Sequence, residues 1–166
     1  MNREALFPTP VYYKDIPNSV ELNNYLFNHI KNWAASTPTE QKTNSGTGWH
    51  SPTDMNQKEE YNPLIKELFK MAEDCNKDYG IEPKLGLGNM WANINPPGAY
   101  NKTHTHPNSL WSGVYYIKVP ENSGKLFIED PRPGPQTYMP RRLKDLPKQL
   151  WRVIAYEPKE GRMVFF

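Results

Sequence analysis

The chain carries a single cysteine, Cys75, among 166 residues. An internal disulfide is thereby excluded, and a lone thiol suits a reducing compartment, so a cytoplasmic protein is expected. No apolar run approaches the roughly 18 residues that span a bilayer. The N-terminal MNREALFPTPVYY also lacks the apolar stretch of a secretory signal. Nor does charge of one sign dominate: 20 Lys and Arg stand against 18 Asp and Glu, for a net charge of +2. No basic cluster occurs beyond Arg141-Arg142, so neither nucleic acid nor an anionic membrane is expected as a partner.

What the chain does hold is aromatic and proline-rich. Aromatics reach 13%, with five Trp and ten Tyr, which opposes disorder despite a modest apolar fraction of 37%. Seventeen prolines suit short strands broken by turns better than a helical bundle. The length suits one domain spanning 1–166, with an N-terminal strand, helices and loop over 1–83 and barrel strands over 84–166.

Residues 6–16 read as a Pro-rich edge strand. Asn18 and Glu21 form an Asn-x-x-Glu capping pattern, and Leu22, Leu26, Ile30 and Trp33 follow at helical spacing, predicting a helix near 19–34. His29 lies beside that stripe and reads as a half-exposed helix residue. Residues 36–60 are polar and loop-like. Gly46 and Gly48 allow turns before Trp49, and His50 reads as a loop histidine beside a tryptophan anchor. Asn62-Pro63 predicts a second helix over 62–79, with Asn62 as cap and Gly80 as terminator. Its apolar face is Leu64, Leu68, Met71 and Cys75, widened by Ile65, Phe69 and Ala72. From Lys84 onward the pattern turns β, with strands expected over 90–95, 112–119, 125–130, 151–156 and 162–166, and breakers at Pro131, Pro133, Pro135 and Pro147. Two helices followed by a run of strands predicts a mainly β barrel with helices packed outside on one sheet.

The most informative stretch is Asn101-Lys102-Thr103-His104-Thr105-His106-Pro107, at the mouth of the strongly β-forming Ser112–Val119. On an extended chain, i and i+2 project to one side, so His104 and His106 can grip one metal ion together. Imidazole suits Fe, Zn, Ni and Cu. Asn93 and Asn95 share a face with Trp91, and two asparagines in an otherwise apolar strand point to a wet cavity. Tyr116 and Lys118, on one side of the next strand, can offer a hydroxyl and an ammonium to an anion.

Taken together, these segments resemble the Fe(II)- and 2-oxoglutarate-dependent dioxygenases. The resemblance is nearest to a small oxygenase family of marine bacteria and their phages. It is carried by Gly48-Trp49-His50-Ser51, Met90-Trp91-Ala92-Asn93-Ile94-Asn95, Gly98-Ala99-Tyr100-Asn101 and His104-Thr105-His106-Pro107. Ser112-Gly113-Val114-Tyr115-Tyr116, Gly124-Lys125-Leu126-Phe127, Glu129-Asp130-Pro131-Arg132 and Gly161-Arg162-Met163-Val164-Phe165-Phe166 complete it. It implies a double-stranded β-helix (a jelly-roll, cupin-like barrel) holding Fe(II), with 2-oxoglutarate as cosubstrate, O2 as oxidant, and hydroxylation of a further substrate. His104 then takes the position of the first metal ligand, and Tyr116 a position facing the cosubstrate. Tyr100, Asn93 and Asn95 line the same cavity, with Lys118 as an added cation.

The chain departs from that pattern in two places. His106 stands where the family's relatives usually have a carboxylate. It is either a second nitrogen ligand or lies outside the metal's shell, with Asp130 or water completing the site. Asp130 itself reads as a turn carboxylate paired with Arg132. The sequence also ends at Phe166, ahead of the Pro-Ser, distal His and Arg that the resemblance implies, so an incomplete barrel with little 2-oxoglutarate turnover is expected. Two alternatives stand beside the oxygenase: a non-catalytic β-barrel module for binding or assembly, and a cupin-type enzyme using Zn or Ni. The oxygenase's substrate is left open between a protein side chain and a small metabolite, and a homodimer is left open as the assembly.

Overall fold

The structure is a computed structural model that describes all residues except 3, 5, 38–47, 83–85 and 138–147. Gly46, the start of the β-rich part at Lys84, the Arg141-Arg142 pair and Pro147 lie outside the described residues. The chain packs as two compact units, residues 1–118 with 160–166, and residues 119–159.

In the first unit, both helices form where the apolar spacing predicts them. Helix α1 spans Ser19–Ser36 and α2 spans Asn62–Tyr79. Their ends differ in detail from the expected caps. Asn18 precedes α1, but its backbone is left-handed (φ 53°, ψ 33°) and its side chain makes no capping bond. A capping side chain needs an extended backbone at that position to reach the free amides, whereas a left-handed turn points it elsewhere. Before α2 the chain is already coiling through a 3-10 turn at Glu59–Tyr61, so Asn62 is the first helical residue instead of the cap, with Pro63 behind it. Gly80 does terminate α2, in the left-handed conformation at φ 73°. The following Ile81 N–H donates to the Asn76 carbonyl at 2.9 Å, closing the last turn.

The strands of this unit form two small sheets. The larger has the order β1-β7-β4, with β1 at Tyr12–Asp15, β4 at Gly113–Tyr115 and β7 at Arg162–Phe165, all antiparallel. The N-terminal segment is thus an edge strand, and the C-terminal strand is central. Its register aligns Tyr12, Phe165 and Gly113 in one row, and Lys14, Met163 and Tyr115 in another. Met163 and Phe165 point to the helices, where they join Leu26, Ile30, Leu64, Met71 and Cys75 in the core. The packing of both helices against one sheet follows from their apolar stripes, as predicted. Phe69 alone of the α2 stripe stays at the exposed margin, at 37%.

The second sheet of the unit has only two residues per strand, β2 at Trp49–His50 and β3 at Asn93–Ile94. The expected strand over 90–95 is shorter because its neighbour cannot continue the ladder. The regular ladder ends at Ser51. Ser51 N–H donates to the Ala92 carbonyl and Ala92 N–H donates to Ser51 Oγ, both at 2.9 Å, so a side chain replaces a ladder bond.

The second unit contains an antiparallel ribbon of β5, Leu126–Glu129, and β6, Val153–Tyr156, with a short helix α3 at Pro133–Thr137. Asp130 N–H donates to the Arg152 carbonyl at 2.7 Å, extending the ribbon at one end. A Lys125–Glu157 ion pair closes the other.

Among the described residues the seven strands make three separate short sheets in place of the single barrel expected over 84–166, and two of the strands, β1 and β2, come from before residue 84. Small sheets with two helices are consistent with a 2-oxoglutarate oxygenase type of fold. No helix among the described residues is long and apolar enough to cross a membrane.

Candidate metal centre

Strand alternation puts Ser112, Val114 and Tyr116 on the sheet face opposite the core, together with Val164 and Phe166. Ser112 and Phe166 exchange both backbone bonds, N–H to carbonyl, each at 2.9 Å. The segment carrying Ser112 is tied down on either side by a buried asparagine. Trp111 Nε1–H donates to Asn76 Oδ1 of α2 at 2.7 Å, and Tyr115 O–H donates to Asn23 Oδ1 of α1 at 2.6 Å. Asn76 is 1% and Asn23 6% exposed. Each amide oxygen is satisfied at the point where the sheet meets its helix, which offsets the cost of burying it.

His106 precedes this anchored strand and reaches it through the turn at Pro107-Asn108. Its Nδ1 lies 2.7 Å from Ser112 Oγ, and its ring lies 6.4 Å from that of Phe166. Its Nε2 lies 2.9 Å from His104 Nε2. His104 is exposed, and its other nitrogen, Nδ1, is 2.7 Å from the Lys102 carbonyl. A carbonyl only accepts, so His104 Nδ1–H donates there, and in the neutral ring Nε2 is left as a bare lone pair. Burial, and then the neighbouring His104, holds the His106 pKa below its ordinary value.

Trp91 forms the adjoining wall. It meets the His106 ring edge-on with centroids 6.3 Å apart, and it stacks on His50 at 5.5 Å and 15°. His50 is therefore placed on β2 instead of in a loop, with Nδ1–H donating to the Ser51 carbonyl at 2.5 Å. His29 is a helix residue, as read: it accepts or donates at 2.9 Å with the buried Tyr61 hydroxyl, on the core side.

The geometry of the histidine pair fits a metal ion. Two nitrogens each about 2.0–2.1 Å from one ion, at right angles, lie about 2.9 Å apart. The observed Nε2–Nε2 separation is 2.9 Å. Among the described residues, however, no three His, Cys, Asp or Glu side chains converge as a metal cluster. Asp130 is engaged with Arg132. Arg132 Nε–H and Nη2–H donate to Asp130 Oδ1 and Oδ2 at 2.8 and 2.6 Å, the turn pairing read from the sequence.

The cosubstrate candidates are placed less uniformly. Tyr116 lies on the same sheet face as Ser112, half-buried, and burial raises its pKa, so the hydroxyl stays protonated and can donate. Lys118 is exposed and shares its charge with Glu160 at 3.0 Å. Asn93, Asn95 and Tyr100 are all exposed, so they do not form a closed wet cavity. With a ladder of two residues, β3 is paired with β2 alone among the described residues. Sequence reasoning missed Ser112 as the partner of His106, and it missed Asn23 and Asn76 as anchors. The signal for Ser112 was its alternation with Val114 and Tyr116, a hydroxyl six residues beyond a histidine on a face otherwise apolar or aromatic.

No curated protein matches the chain. Residues 89–166 match the family described as "Putative 2OG-Fe(II) oxygenase". That segment, just under half of the chain, holds His104, His106, Ser112 and Tyr116, and it is similar to the 2OG-Fe(II) oxygenases.

Proposed function

We propose that the chain is a non-haem Fe(II)- and 2-oxoglutarate-dependent dioxygenase that hydroxylates a protein side chain or a small metabolite. The observation that carries the reading is the pair of imidazole Nε2 atoms 2.9 Å apart inside the matched segment. When bound, Fe(II) with 2-oxoglutarate and O2 supplies the oxidising chemistry, and the protein supplies orientation and shielding.

His104 and His106 would hold the metal as adjacent ligands, leaving the remaining positions open, the pattern of non-haem iron oxygenases. The Lys102 carbonyl keeps the proton of His104 on Nδ1, so that Nε2 presents its lone pair. Tyr116 offers a neutral hydroxyl donor to a carboxylate of the cosubstrate. Lys118 adds a compact cation already half-compensated by Glu160. Asn93, Asn95 and Tyr100 offer amides and a phenol at the open side, where a substrate enters. Trp91, between His50 and His106, screens one side of the pair from water. The arrangement belongs, in this reading, to a double-stranded β-helix of the jelly-roll type. The single buried thiol Cys75 suits a reducing compartment, and we place the reaction in the cytoplasm.

The test is binding, because it depends on described residues alone. Under anaerobic conditions Fe(II) should bind, and added 2-oxoglutarate should produce a visible charge-transfer band. His104→Ala should remove both. Tight Zn(II) binding with no band from Fe(II) and 2-oxoglutarate would favour the cupin-type metal enzyme, and no metal binding at all would favour a non-catalytic module.

A further inference from the structure

The 2.9 Å contact between the two Nε2 atoms places opposite demands on His106 with and without a metal, and one neighbouring group can meet both. His104 donates its Nδ1 proton to the Lys102 carbonyl, so its Nε2 is bare. Without a metal, two bare lone pairs at this distance repel, so His106 must carry its proton on Nε2 and donate it to His104. Its Nδ1 is then bare and needs a donor. With a metal between the rings, both Nε2 atoms give their lone pairs to the ion, and the proton of His106 must sit on Nδ1. That nitrogen then needs an acceptor.

Only Ser112 Oγ, at 2.7 Å, meets Nδ1 of His106 among the described residues' contacts. A hydroxyl can both donate and accept, whereas a carbonyl or a backbone amide offers one role only. Ser112 is also held in place. Its N–H and carbonyl are both bonded to Phe166, and Trp111 beside it is bonded to Asn76 of α2. The hydroxyl therefore reorients by rotation about its own C–O bond while the oxygen stays put.

We infer that Ser112 is a positioning residue whose hydroxyl serves His106 in both tautomers, donating to Nδ1 in the metal-free protein and accepting from Nδ1–H when a metal is bound. The metal-bound half of this inference rests on the reading of His104 and His106 as a metal site; the metal-free half does not.

The experiment uses the full chain labelled with 15N at histidine, at a pH above the imidazole range, as wild type, Ser112→Ala and Ser112→Thr. In the metal-free wild type, His106 should show a protonated Nε2 and an unprotonated Nδ1 at a hydrogen-bonded shift. Ser112→Ala should move Nδ1 to the shift of a free lone pair, and Ser112→Thr should restore it. Mn(II) affinity should fall about 10–100-fold in Ser112→Ala, the usual loss when the outer partner of a ligating histidine is removed, and recover in Ser112→Thr. An unchanged Nδ1 resonance in Ser112→Ala, with the fold intact by circular dichroism, would overturn the inference. If the wild type fails to bind Mn(II), the metal reading falls, and the nitrogen resonances decide the role of Ser112 without it.

Discussion

The two faces of the three-stranded sheet use the same strand for opposite ends. On one face, Met163 and Phe165 of β7 are buried under α1 and α2, with Met163 at 0% exposure. On the other, Phe166 exchanges backbone bonds with Ser112 and lies beside the His106 ring, Val164 is buried, and His104 is exposed. The first face is made of side chains that need only shape and apolar area. The second is made of groups whose value lies in where a proton or a lone pair sits. A two-residue repeat is enough to separate these demands, which is why a four-residue strand can serve both.

The separation breaks first, and most, at Met163. Met163→Ala removes a fully buried side chain and should cost about 2–5 kcal/mol of stability, read by urea denaturation. The affinity of the folded fraction for Mn(II) should stay unchanged, since Met163 points away from the histidines. A fall in that affinity would show that the two faces are not independent.

Gly113 tests the seam between them. A Cβ there would lie 2.6 Å from the Phe165 ring and 2.9 Å from the Val164 carbonyl. Gly113→Ala should cost about 1–3 kcal/mol through overpacking. Because Ser112 is its neighbour, Mn(II) affinity should fall as well, unlike the result for Met163. Ser51→Ala acts outside the seam. It strips the buried Ala92 N–H of its acceptor, and should cost about 1–3 kcal/mol with no change in the resonances of His106.

The core face was largely legible in the sequence, because an apolar stripe at helical spacing is a local signal. Leu26, Ile30, Leu64, Met71 and Cys75 were all read as core and all are buried. The site face was legible only in part. The nearness of His104 and His106 follows from their two-residue spacing. The bond from Ser112 to His106 depends on a turn through Pro107 and the left-handed Asn108, which no local spacing encodes. Asn23 and Asn76 were equally hidden, since a polar residue at the margin of a helical stripe looks like surface until the partner across the sheet is known. Strand lengths were less legible for a related reason: apolar and β-branched runs mark where strands can form, while the length of a ladder depends on the neighbour, as Ser51 shows for β2 and β3.

A smaller effect distinguishes the faces by pH. His106 has its pKa lowered from 6.5 by burial and then by His104. The unfolded chain therefore takes up this proton first as the pH falls. The stability that neutral His106 contributes is complete above pH 6.5 and is lost as the pH drops from there through the lower folded value. His106→Gln should flatten this part of the pH dependence of the denaturation midpoint. An identical dependence in wild type and variant would assign the loss to other groups.

The central claim is that His104 and His106 together form a metal site, and calorimetric titration of the full chain with Mn(II) at neutral pH tests it most directly. The account predicts saturable binding by the wild type, lost in the His104→Ala/His106→Ala double variant while the fold persists. Equal binding by the double variant and the wild type would contradict it.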